Sequence, residues 1–247
     1  AEKTILVGDH KQLGPERPFT PDDADEPPKL DLDAEESLFT HLYGGETGVY
    51  GNEIGVMFDQ QYRMHSKIAG FPSEEFYDDD LTTAVDRTRL NNIQPILAHH
   101  VENRDSRNTE RNQAEAEAIS EYLSRLVSVS GVSPDNIGVA TAYRDQVPVL
   151  QTAMEQRDFD HKPVLVQTFD AFQGSERGVM LLSFVRSNSH GSIGFLGGET
   201  GERRLNVAMT RAKYHCAMFG DWGTLAQGSD LYARLRDYIQ QTGVLIQ

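Results

Sequence analysis

Residues 164–184 read VLVQTFDAFQGSERGVMLLSF. Two apolar runs, 164–167 and 179–184, flank a polar stretch that contains glycine, and the second run carries no polar alternation through Leu182. A strand with one wet face alternates apolar and polar residues, whereas a strand covered on both faces reads as a continuous apolar run. The stretch therefore predicts two strands of a mainly parallel sheet, with polar residues 168–176 held beside their ends.

Similar runs occur at 4–7, 54–58, 95–99, 137–140 and 215–219. Between them, Ala114, Ala118, Ile119, Tyr122 and Leu126 recur at helical spacing, as do Leu205, Ala208, Met209 and Ala212, and then Leu231, Leu235 and Tyr238. Strands alternating with helices define an α/β fold. In such sheets ligands gather outside the carboxyl ends of the strands. Chemistry is therefore sought in GDHKQ at 8–12, DQQYR at 59–63, TAYR at 141–144, and TFD at 168–170 leading to QGSE at 173–176.

The 247 residues, 38% of them hydrophobic, can bury one large or two modest cores, which excludes a disordered tail or a disulfide miniprotein. No apolar run approaches the roughly 18 residues that span a bilayer. The first residues lack the basic and apolar regions of a signal peptide, so the chain reads as soluble and cytoplasmic, with no membrane partner. The single cysteine, Cys216, sits in an apolar run and reads as a buried thiol. Neither His10 nor His65 has a second ligand at metal spacing, and no metal site is expected.

Acids number 38 against 23 basic residues, giving a net charge of −15. An evenly spread field of that sign repels nucleic acid, so a polyanion site must be a local basic patch. Only 6 of the basic residues are Lys, and the acids occur in every segment, a balance that suits concentrated salt, where the screening length falls to about 3 Å at 1 M. From Thr20 to Glu36, eight acids, three prolines and one Lys read as a solvated loop or, alternatively, an acidic arm that docks a basic partner.

Six blocks stand in order: ILVGDHKQLGP from Ile5, SLF from Ser37, QYRMHSKIAGFPSEEFY from Gln61, IGVATAYRDQ from Ile137, VQTFDAFQGSE from Val166 and RRLNVAMTRAK from Arg203. Together they resemble the C-terminal half of the ATP-dependent helicases of superfamily 1, in the branch of the nonsense-mediated decay helicase and the replication helicase-nuclease. The resemblance implies the RecA-like P-loop NTPase fold, with ATP between two RecA-like domains and single-stranded nucleic acid across their tops. The sequence contains no G-x-x-x-x-G-K-[ST] loop and no strand ending in paired acids for Mg²⁺. In the family's order both precede Ala1. Residues 1–45, including the loop 20–36, are then the end of the first RecA-like domain, and 46–247 form the second. The Mg²⁺ ligands belong to the missing N-terminal domain of the same polypeptide, and this fragment alone is expected to be inactive.

Phosphoryl transfer needs placed positive charge and an oriented water. Gln12 follows a predicted strand, and its amide can accept from water and donate to a phosphate oxygen; the resemblance makes it a γ-phosphate sensor, against a plain turn cap. Arg63 and Arg211 match the family's arginine fingers, always charged and forked for phosphate, the alternative being surface ion pairs. Arg211 is expected on a helix face shared with Arg204. The resemblance also puts Gly8, Asp9, Tyr62, Gly174 and Glu176 at ATP, with Tyr62 on the adenine or else in the core, and Glu176 on the ribose or else an N-cap. Thr141, Tyr143, Thr168, Arg186 and Asn188 suit phosphates and sugars, without reading sequence. Asp170, Gln173 and Arg204 are expected to couple the two sites between domains.

The expected function is thus the motor half of a helicase that uses ATP and Mg²⁺ and moves on single-stranded DNA or RNA, 5′ to 3′ as this branch does. The rivals are a complex remodeller that separates no strands and a non-catalytic nucleic-acid-binding or scaffold module. Retention of Gln12, Arg63 and Arg211 argues against the second. If the acidic surplus is an adaptation to salt, the melting midpoint of the chain rises steadily from about 0.1 to about 3 M KCl as self-repulsion is screened. A flat or falling midpoint in thermal melts rejects the adaptation and leaves the loop 20–36 as a docking arm.

Overall fold

A computed structural model describes residues 4–14, 38–43, 55–88, 90, 93–102 and 110–247. The acidic run 20–36 lies outside the described residues. The chain divides into two compact units, 1–58 and 59–247.

In the first unit Asp9 builds a tight turn: its carboxylate accepts the Lys11 N–H at 3.0 Å and the Gln12 side-chain amide at 2.7 Å. Helix α1 (Leu38–Leu42) brings Phe39 against Gly8, where an added Cβ would lie 2.8 Å from the ring. The strands expected at 4–7 and 54–58 are not strands over their described residues. Ile5 is 88% and Phe58 80% exposed. A strand exists only through a hydrogen-bonded neighbour, and among the described residues nothing pairs with either run.

The second unit is a six-stranded parallel sheet. Its strands are β3 (Ile96–His100), β4 (Ile137–Thr141), β5 (Leu165–Thr168), β6 (Arg177–Ser183), β7 (Ala212–Gly220) and β8 (Val244–Ile246), in the spatial order β5-β4-β6-β7-β3-β8. A separate parallel pair joins β1 (Gln60–Gln61) to β2 (Thr82–Thr83). Successive side chains of the central strands bury on opposite faces. Met180, Leu182, Cys216 and Met218 face one core with α2 (Ser66–Phe76), α5 (Gly198–Met209), α6 (Trp222–Gly228) and α7 (Asp230–Thr242). Val179, Leu181, Ala217 and Phe219 face the other with α3 (Gln113–Ser128) and α4 (Gln146–Glu155). Cys216 is fully buried, as its sequence context predicts, and burial pushes its thiol up to about 12.

Helix α5 stops earlier than its apolar spacing predicts. Met209 is its last residue, and the Thr210 hydroxyl turns back to the Asn206 carbonyl at 2.7 Å. Ala212 already begins β7, so Arg211 lies in the turn between helix and strand, not on a helix face. The Arg211 carbonyl accepts the Arg177 N–H at 3.0 Å, and this sheet bond takes the residue out of the helix.

A buried polar group braces the carboxyl end of β6. Val185 has φ 73°, a left-handed conformation that costs a β-branched residue about 1–3 kcal/mol. Both polar groups of its peptide are held from the start of α3: its N–H donates to both Glu115 carboxylate oxygens at 3.0 Å, and its carbonyl accepts from Asn112 Nδ2 at 3.1 Å. The Ser183 hydroxyl donates to the same carboxylate at 2.7 Å. Burial dominates these bonds and raises the Glu115 pKa from 4.5 to about 8.

A carboxyl whose pKa is higher folded than unfolded gives stability that is complete below its unfolded value and is lost as pH rises toward 8. His215 acts in the opposite direction: burial holds it neutral, with its pKa lowered to about 4, so its contribution is lost as pH falls below 6.5. Glu115→Gln separates the two. Its melting temperature relative to the wild type should climb between about pH 5 and about pH 8, and a difference that stays constant by calorimetry would show that the carboxyl does not titrate in this window.

Candidate functional site

The parallel sheet has two chemically different ends. Arg177 pairs with Ala212 at the amino end of β6 and β7, while Thr141 pairs with Thr168 and Ser183 at the carboxyl end. The seven residues of β6 separate them by about 20 Å, at about 3.3 Å per residue.

The amino end gathers the predicted finger and ribose residues. Arg63 Nε meets Glu176 Oε2 at 2.6 Å, and Lys213 Nζ meets Glu176 Oε1 at 2.6 Å. Arg63 Nη1 also donates to the Thr210 carbonyl at 3.1 Å. The Lys213 and Arg63 hydrogen bonds hold the Glu176 carboxyl down at about 2, against a usual 4.5. Arg211 is buried beside this group, with Nε on the Val207 carbonyl at 3.0 Å and Nη2 on the Thr210 hydroxyl at 2.9 Å. Arg63 is thus in part a surface ion pair, whereas Arg211 is buried and does not lie at the surface. Tyr62 is 63% exposed, which removes the core alternative for its ring.

Two residues that the sequence reading passed over organise this end. Gln61 Oε1 accepts the N–H groups of Arg63 at 2.9 Å and Met64 at 2.7 Å, closing the turn after β1. Arg87 holds the turn from outside: Nε donates to the Arg63 carbonyl, Nη2 to the Tyr62 carbonyl at 2.9 Å, and Nη1 to the Tyr214 hydroxyl at 3.2 Å. Gln12, Gly8 and Asp9 belong to the first unit, where Gln12 is tied to Asp9 as described.

The carboxyl end gathers the predicted strand-contacting residues, with one exception. Thr141 is fully buried, and its hydroxyl has no hydrogen-bond partner among the described residues, so it offers no surface atom to a strand. Tyr143 accepts the Phe195 N–H on its hydroxyl at 3.1 Å, and the Arg186 guanidinium lies 5.6 Å above its ring. Asn188 shapes the loop after β6 by accepting the N–H groups of His190 and Ser192 and donating to the Ser192 carbonyl at 2.8 Å. Thr168 accepts the Ala171 N–H at 3.4 Å.

Two of the segments that connect the ends carry predicted residues. The chain from 169 to 176 returns from β5 to β6, and α5 runs from the loop near Phe195 back to β7. Arg204 Nε bonds Asp170 at 3.1 and 3.4 Å, tying the two connections together. This pair, expected to act between domains, is formed within one unit. Gly174 has φ 83°, which lets the return turn before Ser175 and Glu176. Gln173 is exposed on that turn.

Helices on both faces of a parallel sheet, with an arginine and glutamate cluster at one end, define a RecA-like α/β domain. The AAA domain model AAA_12 matches residues 34–222, and the chain belongs to that family within the superfamily 1 helicases. It is 29% identical to the DNA polymerase alpha-associated DNA helicase A of Schizosaccharomyces pombe over 99% of this chain, and 31% identical to the ATP-dependent helicase NAM7 of Saccharomyces cerevisiae over 100%. The chain spans 37% and 25% of the lengths of those two proteins. Among solved structures, the C-terminal domain of a possible DNA helicase from Lactobacillus plantarum matches 76% of this chain and 99% of its own, at TM-score 0.48 and 15% identity, too distant to extend the fold assignment.

The paired cations make Glu176 unusually acidic. Its side-chain carboxyl should titrate by NMR near 2, and Arg63→Gln should move the midpoint up toward 4.5. A midpoint that Arg63→Gln leaves in place would remove Arg63 as a cause.

Proposed function

We propose that this chain is the C-terminal motor part of an ATP-dependent superfamily 1 helicase that couples ATP hydrolysis to 5′ to 3′ movement along single-stranded DNA or RNA. The observation that carries the reading is the convergence of Arg63, Glu176 and Lys213 beside Arg211 at the amino end of the sheet. A guanidinium held by a carboxylate is charged and oriented before a phosphate arrives, and a γ-phosphate competes with that carboxylate for it. Tyr62 offers an exposed ring for the adenine, and Gly174 supplies the turn before Glu176 in the same unit; in the first unit, taken by itself, the Gly8, Asp9 and Gln12 turn is the proposed nucleotide contact. The names of the relatives, both helicases, support the same reading.

In this reading residues 1–45 close the first RecA-like domain and 46–247 form the second. Mg²⁺ is held by the N-terminal domain of the same polypeptide; among the described residues no group of acids, His or Cys suits a metal. Asp170 and Arg204, with Gln173 on the same return, transmit the state of the nucleotide end to the strand end. The protein works in the cytoplasm, and its acidic surface is an adaptation to salt. The sequence 1–247 has no phosphate-binding loop and hydrolyses no ATP by itself.

In the longer polypeptide with its phosphate-binding loop, Arg63→Ala and Arg211→Ala should each lower kcat by about 10²-fold or more with a smaller change in KM, because a finger acts mainly in the transition state. Steady-state phosphate release measures both. Near-normal kcat in folded variants would return the two arginines to a structural role.

A further inference from the structure

Phe195 is out of place by the rules that fold the rest of the chain. Its neighbours Ile193 and Leu196 are buried, yet Phe195 is 39% exposed. Its position is nevertheless fixed. Its N–H donates to the Tyr143 hydroxyl at 3.1 Å, and its carbonyl accepts from Arg204 Nη1 at 3.2 Å. The Arg204 guanidinium covers one ring face, 3.3 Å from the centroid, and the Tyr143 ring stands 5.9 Å away at 48°. Arg204 is itself anchored on Asp170. The loop approaches this group closely only because residue 194 is glycine: φ is +53°, and a Cβ there would lie 2.4 Å from Arg186 Nη2 and 2.7 Å from the Tyr143 hydroxyl.

An aromatic ring held partly outside the core, under one arginine and beside a tyrosine that a second arginine covers, at the carboxyl end of a parallel sheet, matches the chemistry of base stacking. Every nucleobase has a π-face, so such a platform tolerates any sequence, and each stacked base is worth about 1–3 kcal/mol. The fixed backbone means that little freedom is lost when a base arrives. We infer that Phe195 is a stacking platform for an unpaired nucleobase, which packs on the exposed part of the ring while Arg186 faces the sugar-phosphate chain. The inference rests on the reading of this end of the sheet as a nucleic-acid surface, and it adds the residue that grips the base.

The test is equilibrium binding by fluorescence anisotropy at low salt, using the full chain of residues 1–247 and labelled decamers of dT, of rU, and of an abasic deoxyribose-phosphate strand. Phe195→Ala should weaken binding to the base-bearing strand about tenfold and leave the abasic strand unchanged, and Phe195→Trp should restore affinity. Arg186→Ala should weaken base-bearing and abasic strands alike. Equal affinities of the wild type and Phe195→Ala for the base-bearing strands, with the Arg186→Ala loss present, overturn the platform and leave the surface standing. Equal losses on base-bearing and abasic strands also overturn it. If the wild type binds no strand, the nucleic-acid reading and the platform fall together.

Discussion

Parallel pairing of all six strands is the constraint from which the rest of this unit follows. Because every strand points the same way, the sheet has one end made only of strand starts and one made only of strand exits. Every connection must then travel the length of the sheet. The starts of β6 and β7 bring Glu176, Arg177, Arg211 and Lys213 together from segments more than thirty residues apart in sequence. The exits of β4, β5 and β6 bring Tyr143, Thr168 and Arg186 together in the same way. Two polar surfaces in one small unit are thus a product of topology, and the strands and the connections between them are the covalent routes that join one to the other. The Asp170–Arg204 pair joins two of those routes.

The strand-exit surface is held in shape by groups that never reach it. Glu115 and Asn112 lie at the start of α3, yet they fix both polar groups of the Val185 peptide, one residue before Arg186. A valine in the left-handed region relaxes unless its surroundings determine it, and here a buried carboxylate, an amide and the Ser183 hydroxyl do so. Gln146 extends the group, donating to the Asn112 carbonyl at 2.8 Å and accepting the Asn112 N–H at 2.7 Å. The aim of Arg186 toward Tyr143 is therefore set by buried hydrogen bonds, which are strong where water is excluded and costly to leave half made.

What could be read from the sequence tracks how local the cause is. The runs around Val139, Leu181 and Ala217 announced central strands because burial on both faces leaves an unbroken apolar record, whereas the run around Val166 proved to be a half-buried edge strand. The three amphipathic helices α3, α5 and α7 were legible because a helix buried on one face repeats its apolar residues at helical spacing. Helices α2 and α4 were not: Gly70 and Pro72 interrupt one, Pro148 the other, and their burial comes from tertiary contact. The edge strand β8 is only three residues long and half exposed. At the site, Arg63, Glu176 and Arg211 stood in recognisable blocks, whereas Arg87 stood in none; its bond to Tyr214 spans 127 residues, a separation no local pattern encodes. Phe195 was missed because a phenylalanine beside Ile193 and Leu196 reads as core, and only the fold shows that it faces outward.

The net charge of −15 and a polyanion-binding surface are compatible because the relevant distances differ. In cellular salt the field of an exposed charge decays over about 8 Å, so a phosphate at the amino end responds to Arg63 and Lys213, not to acids on the far side of the unit. Those two cations share the single carboxylate of Glu176, so the pair carries one positive charge more than it cancels. At the strand exits the Arg186 guanidinium lies over the Tyr143 ring, and Arg204 is paired with Asp170. An aromatic partner orients a guanidinium without neutralising it. On the proposed function, the acids elsewhere discourage nonspecific adsorption of nucleic acid, while the patch of Arg63 and Lys213 keeps the positive charge that a phosphate needs.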